Sequence, residues 1–120
     1  MRKSISFLFL IFLVFSNCGK ERIDLVSKNS GLKLPEKYVI LKNETANLGG
    51  PDYEINVILH FDEENFKYII NQTDSLVKTN SNWKNNNHNI DYLNHSNESE
   101  LEKMKIDLEK RTLHFNLTHL

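Results

Sequence analysis

Few residues in this chain have the type and spacing that chemistry requires. Cys18 is the only cysteine. His88, Asp91 and His95 are close in sequence, but their spacing fits no helical or zinc-finger pattern, and no further cluster of ligands completes a metal shell. We find no Ser-His-Asp or Cys-His set, no glycine-rich phosphate loop and no His-Glu-x-x-His helix. We therefore expect no metal site, no cofactor and no catalytic centre, and the chain is not predicted to be an enzyme.

The first residues of the chain predict export. A short positive start with Arg2 and Lys3 is followed by eleven mostly apolar residues, Ile5 to Phe15, and then by Ser16 and Asn17. Crossing the hydrocarbon core of a bilayer takes about 20 apolar residues, so this run is too short for a membrane span. The order of charge, apolar run and small residues is typical of a cleaved secretory signal. We assign residues 1–17 to a signal peptide.

The end of this leader, Phe15-Ser16-Asn17-Cys18, resembles the lipobox of bacterial lipoproteins, in the looser form seen in the Bacteroidota. The resemblance implies that the Cys18 thiol receives a diacylglycerol, that the chain is cut before it, and that the new amino terminus is acylated, for example with palmitate. Two or more acyl chains hold a protein stably on a bilayer, whereas one holds it only marginally. The alternative is an ordinary thiol after a secretory peptide or within an uncleaved anchor.

The residues after Cys18 bear on location. Gly19 stands where some lipoproteins have the Asp that retains them in the inner membrane, and Lys20-Glu21 resembles the short signal that sends Bacteroidota lipoproteins to the cell surface. The resemblance therefore implies the outer membrane, with the protein facing either the periplasm or the outside. The alternative is that Lys20 and Glu21 are solvated linker charges. Residues 18–33 mix charged, polar and glycine residues without a clean period, which predicts a flexible tether after the lipidated cysteine.

Composition limits what the rest of the chain can be. Removal of residues 1–17 from the 120-residue chain leaves one small domain, which we place at residues 34–120. The chain has 15 Lys and Arg residues against 16 acidic ones, so loss of Arg2 and Lys3 gives a mature charge of −3 with neutral histidine. This charge argues against a nucleic-acid partner and against a polybasic grip on lipid headgroups. The acyl chains on Cys18 must then provide the attachment to the membrane.

The first half of the domain predicts two strands and a helix. Residues 38–41 form a short β-favouring run, residues 49–52 are a strong turn signal, and residues 53–61 alternate between apolar and polar side chains. At Asp62 the period changes to that of a helix, because Asp62 is a good N-cap and Phe61 and Phe66 can form a hydrophobic staple. We expect the apolar stripe of this helix to pack on the sheet, with Thr73 to Ser75 able to end it early.

The region 79–100 is rich in asparagine and predicts a loop. Trp83 and Tyr92 lie within it, and aromatic residues in a polar loop usually find a crevice or a partner. We therefore name Trp83 and Tyr92 as candidate partner-binding residues.

Two interpretations of residues 99–118 compete. Alternating apolar residues on either side of Glu109 to Arg111 predict a hairpin. The alternative is a helix with Ser99 and Glu102 as a capping box, which leaves Ile106 on the polar side. With the hairpin, the fold is α+β: a small, mostly antiparallel sheet in the order strand-strand-helix-loop-strand-strand, with one helix packed on it.

These features predict a lipid-anchored cell-envelope protein that acts as a non-catalytic binding or structural accessory module. Its partners would be the membrane, through Cys18, and another envelope protein. That protein would dock at the sheet edge or the Asn-rich loop around Trp83. The alternative is an inhibitor or immunity protein that neutralises an envelope-directed enzyme through an acidic patch.

Overall fold

Six antiparallel strands and two helices make up the part of the chain that the computed structural model describes, residues 20–120. The elements in chain order are α1 (20–28), β1 (Val39–Gly49), β2 (Asp52–His60), α2 (Glu63–Thr79), β3 (Trp83–Asn85), β4 (Asn89–Asn97), β5 (Glu100–Asp107) and β6 (Thr112–His119). The strand order in the sheet is β1-β2-β6-β5-β4-β3. The predicted α+β class with an antiparallel sheet is confirmed, but one helix and two strands are added to the predicted set.

The strand alternation places the core on one face of the sheet. Cross-strand partners such as Val57, Phe115 and Met104 all point to this face, and helices α1 and α2 cover it. The buried residues of the core are Ile23, Val26, Leu32, Ile55, Val57, Leu59, Phe61, Phe66, Ile69, Trp83, Ile90, Tyr92, Met104, Ile106, Leu113, Phe115 and Leu117. Burial of this apolar surface is the main stabilising contribution to a small domain without a disulfide.

The boundary between β2 and α2 follows its local signals as predicted. The Asp62 carboxylate accepts a hydrogen bond from the Asn65 backbone N–H at 2.8 Å, and this bond is the main reason that the pKa of Asp62 lies below its ordinary value. The rings of Phe61 and Phe66 lie 6.4 Å apart. The helix does not end early: Thr73 is buried, and its hydroxyl donates to the Ile70 carbonyl at 2.9 Å, so the polar atom is satisfied inside the helix.

The hairpin of β1 and β2 turns at Gly49 and Gly50, whose φ angles are 112° and 58°. Glycine adopts such positive φ angles at little cost because it has no Cβ atom. The turn was predicted here, but β1 extends through residues 42–49, well beyond the predicted strand 38–41. Most of these residues are polar, because β1 is an edge strand whose side chains are mostly exposed. Sequence alternation therefore gave no sign of the extra length.

The predicted flexible tether is wrong for residues 20–33. Helix α1 buries Ile23 and Val26, and Leu32 in the segment after it is fully buried. The Lys33 backbone N–H donates to Gln72 Oε1 at 2.7 Å, and Gln72 Nε2 donates back to the Lys33 carbonyl at 2.7 Å. Three buried apolar residues spread over ten positions are too few to stand out in a polar stretch. Helix α1 forms because the sheet and α2 cover its buried residues, Ile23 and Val26.

The predicted Asn-rich loop at 79–100 is also wrong in most of its length. Strands β3 and β4 occupy it, and β4 pairs with β5, for example Ile90 with Ile106 and Tyr92 with Met104. Among the β4 residues whose burial is described, only Ile90 and Tyr92 are buried, so the period is short and hidden among polar residues. Asparagine is tolerated at the other positions because they face solvent or turns.

The hairpin interpretation of residues 99–118 is confirmed, and the helix alternative is wrong. Strands β5 and β6 pair in register, with Met104 opposite Phe115. In the turn, the Asp107 carboxylate accepts hydrogen bonds from the backbone N–H groups of Glu109 and Lys110, each at 2.9 Å. These bonds, led by that from Lys110, lower the pKa of Asp107.

Candidate functional site

The face of the sheet opposite the helices, here called the open face, carries a groove of about 700 Å³. Its lining residues are Glu54, Asn56, Asp91, Tyr92, Leu93, Lys103, Met104, Lys105, His114, Asn116 and Thr118. A neighbouring pocket of about 470 Å³ extends towards β3 and shares Asp91 and Leu93 with it. We call these two connected depressions the open-face groove. Strand pairing positions its residues, because outward side chains of adjacent strands stand side by side.

One end of the groove is a hydrogen-bonded network of polar side chains. Glu54 Oε1 accepts from Asn56 Nδ2 at 2.9 Å and from Asn116 Nδ2 at 2.8 Å. Asn116 Nδ2 also donates to Asn56 Oδ1 at 2.9 Å, and Thr118 Oγ1 donates to Asn116 Oδ1 at 3.1 Å. The amide hydrogen bonds, first that from Asn56 and then that from Asn116, lower the pKa of Glu54. Glu54 is therefore a fixed carboxylate whose charge is shared with two amides.

His114 completes this end of the groove. Its Nε2 lies 3.3 Å from Asn56 Oδ1. Partial burial lowers its pKa, and the nearby ammonium groups of Lys42 and Lys105 lower it further. The ring is therefore neutral at neutral pH. Asn56 lies between Glu54 and His114 and contacts both, so the two titratable groups are bridged by an amide.

Acid should weaken the domain through Glu54. A carboxyl group whose pKa is lower in the folded state stabilises the fold at pH values above its ordinary pKa of 4.5. That contribution is lost as the pH falls through the lowered value. We expect Glu54→Gln to unfold at a temperature that depends less on pH below 4.5 than the wild type does, with thermal melts followed by circular dichroism as the measurement. Equal pH dependence of the two proteins would contradict the assigned network.

The other end of the groove centres on Leu93, whose side chain is 47% exposed. In the strand register Leu93 stands opposite Lys103, and the neighbouring row runs Lys84, Asp91, Lys105 and His114. Asp91 accepts a hydrogen bond from Asn86. An exposed leucine thus lies among three lysines and one aspartate, which is an apolar centre with a charged rim.

The two aromatic residues named as candidate partner contacts lie directly behind this groove. Trp83 and Tyr92 are each 2% exposed, and their rings stack with centroids 5.0 Å apart. Trp83 Nε1 donates to the Ser30 carbonyl at 2.9 Å, which joins β3 to the segment after α1. Their rings belong to the core face, so their role in binding a partner stays a prediction. Tyr92 itself lines part of the groove, and strand alternation brings its neighbours Asp91 and Leu93 into the groove beside it.

A buried carboxylate holds the same region together. Glu102 is 2% exposed and accepts from Asn29 Nδ2 at 2.9 Å and from the Tyr92 hydroxyl at 3.4 Å. Burial, and then the charge of Glu102, raises the pKa of Tyr92 to about 12. Among residues 20–120, no buried side-chain nitrogen or oxygen lacks a hydrogen-bond partner. This satisfied polar contact links the turn after α1 to β5 and β4 and makes the floor of the groove rigid.

The groove residues could have been found from the sequence if β4 had been assigned. Alternation of Ile90 and Tyr92 with Asp91 and Leu93 is a strand signal, but it is only four residues long. Strand alternation places His60 and His114 on the open face, between the buried residues of β2 and β6. Within the described part of the chain, no three His, Cys, Asp or Glu residues are grouped so that they could hold a metal ion. Cys18 lies outside the described residues, so its lipidation stays a prediction.

Comparisons with known proteins identified no relative of this chain. No helix within residues 20–120 has both the length and the apolar character that a membrane crossing requires. Comparison with models of protein families, with curated proteins and with solved structures gave no match to this chain.

Proposed function

We propose that this protein is a lipid-anchored cell-envelope protein that binds a segment of another envelope protein in the open-face groove, without catalysis. The observation that carries the proposal is the position of Leu93, a half-exposed leucine at the centre of a groove whose rim is charged. Protein interfaces typically place an apolar anchor at the centre and polar groups around it.

The charges of the groove specify the partner segment. Lys84, Lys103 and Lys105 line it, against the carboxylates of Asp91 and Glu54. The Glu54 carboxylate accepts hydrogen bonds from two asparagine amides and the Asp91 carboxylate accepts one from Asn86, so both carboxylates are fixed in position. Three ammonium groups against two carboxylates leave the groove with a net positive charge. We infer a segment with one apolar side chain for Leu93 and acidic side chains for the lysines.

The groove also bears on the alternative function. An inhibitor of a basic enzyme would need an acidic patch, whereas this groove carries more lysine than carboxylate. A binding module for an acidic segment fits these charges better. We therefore favour the accessory module over the inhibitor.

The membrane anchor is tested by the mass of the purified full-length chain produced in a bacterial host. We expect a mature mass that starts at Cys18 and includes acyl chains, and an envelope fraction that contains the protein. The Cys18→Ala protein should lack the mass of the acyl chains and should be absent from the detergent-extracted envelope fraction. An unmodified Cys18 in the wild-type protein would contradict the lipid-anchor part of the proposal, independently of the groove.

A further inference from the structure

The outer edge of the sheet carries an unusual apolar strip on β1. The register between β1 and β2 shifts twice, between Ile40 and Lys42 and between Asn47 and Gly49. The residues skipped at these two bulges are both leucines, Leu41 and Leu48, and their side chains are 58% and 47% exposed. Val39 and Ile40 beside the first bulge are 57% and 49% exposed. Four large apolar side chains thus face solvent along one edge strand.

The charged residues of β1 itself are paired. Lys42 and Glu44, which lie between the two leucines, form an ion pair with 3.2 Å between Nζ and Oε1. Paired charges do not set up a strong local field, so the apolar side chains decide what this edge binds. Bulges also interrupt a regular hydrogen-bonding ladder, which makes the edge a poor template for a long partner strand.

Helix α1 brings the start of the described chain to the same edge. Arg22 Nε donates to Thr45 Oγ1 at 2.8 Å, and Arg22 Nη1 donates to Asn43 Oδ1 at 3.4 Å. Thr45 and Asn43 lie between the two bulge leucines. Cys18 is four residues before Arg22, so the two Cα atoms are at most about 14 Å apart. Any lipid on Cys18 is therefore attached within about 14 Å of a residue whose side chain contacts the β1 edge.

We propose that the β1 edge is the surface that rests on the bilayer, with Leu41 and Leu48 seated between the lipid headgroups. This inference depends on the proposed lipidation of Cys18. The acyl chains bring the domain to the bilayer, and the leucines then fix its orientation, because apolar side chains held at an interface bury their surface in it. In the sheet, β4 is separated from β1 by β2, β6 and β5, so Leu93 stands about 19 Å from this edge. The open-face groove is thereby kept accessible to a partner.

The test uses the full-length, lipidated protein in vesicles of phosphatidylethanolamine and phosphatidylglycerol. Because the diacylglycerol occupies the Cys18 sulfur, a cysteine introduced at one position is the only free thiol for an environment-sensitive fluorophore. Leu48→Cys and Leu41→Cys report on the β1 edge. Leu93→Cys is the matched control, since Leu93 and Leu48 have the same exposed fraction of 47%. Far-ultraviolet circular dichroism first confirms that each labelled protein is folded.

We expect blue-shifted emission at positions 48 and 41, and quenching by lipids brominated near the headgroup that is several-fold greater than at position 93. With the acyl mass verified, equal quenching at 48 and 93, or none at 48 and 41, would overturn the inference. A shift at 48 that disappears when the protein is diluted into excess vesicles would overturn it too, because it would indicate pairing with a second copy. A sample without acyl chains would instead show the failure of the proposed anchor.

Discussion

Ile23→Ala should lower the free energy of unfolding by about 2–5 kcal/mol, the usual cost of truncating a large buried aliphatic side chain. Ile23 is 4% exposed and lies in the main core cluster with residues of both sheet and helix α2. Truncation removes apolar contacts and leaves a cavity between α1 and the sheet. The measurement is urea-induced unfolding followed by the fluorescence of Trp83, the single tryptophan of the chain.

Lys28→Ala is the matched control for this prediction, because Lys28 lies on the same helix and is exposed. We expect its unfolding curve to lie close to that of the wild type. If Ile23→Ala also unfolded like the wild type, residues 20–33 would act as a flexible tether, and the α1 contacts described above would be wrong. The distance limit that relates Cys18 to the β1 edge would then fail as well.

Strong local signals made part of this fold predictable. Strand β2, the cap at Asp62 and the β5–β6 hairpin each combine a clear period with a turn or capping residue, so local preference and tertiary contact agree. These elements form the centre of the sheet and half of its helical cover. The polar positions of Glu54 and His114 on the open face follow from the same alternation.

The remaining elements depend on contacts that a sequence does not display. Helix α1 has too few apolar residues for a recognisable stripe, and it is stabilised by the sheet and α2 rather than by its own propensity. Strands β3 and β4 pair with their neighbours in sequence, but among the β3 and β4 residues whose burial is described only Trp83, Ile90 and Tyr92 are buried. For this reason the sequence predicts a loop where Leu93 lies in a strand, and it does not predict the groove around Leu93.

Leu93→Glu should abolish most of the binding of the partner segment. Loss of an anchor at the centre of an interface typically costs about 2 kcal/mol or more, which corresponds to an affinity about thirtyfold lower. The new carboxylate also repels the acidic side chains that we infer in the partner. Because Leu93 is half exposed and points away from the core, we expect the thermal stability of the variant to stay close to that of the wild type.

Tyr68→Glu is the matched control for the groove. Tyr68 lies on α2, on the helical side of the sheet, and is 45% exposed. The substitution therefore changes a residue whose exposure is similar to that of Leu93 but which lies away from the groove.

Raised salt should weaken the binding of the partner by the wild type, since the lysine rim attracts the partner through charge.

The most direct test of the proposed function is chemical crosslinking in intact cells, followed by isolation of the lipidated protein from the detergent-extracted envelope. The three proteins compared are the wild type, Leu93→Glu and Tyr68→Glu. We predict one envelope protein crosslinked to the wild type and to Tyr68→Glu in equal yield, and largely lost from Leu93→Glu. Equal yield with all three proteins, or no crosslinked protein with the wild type, would contradict a partner site in the open-face groove.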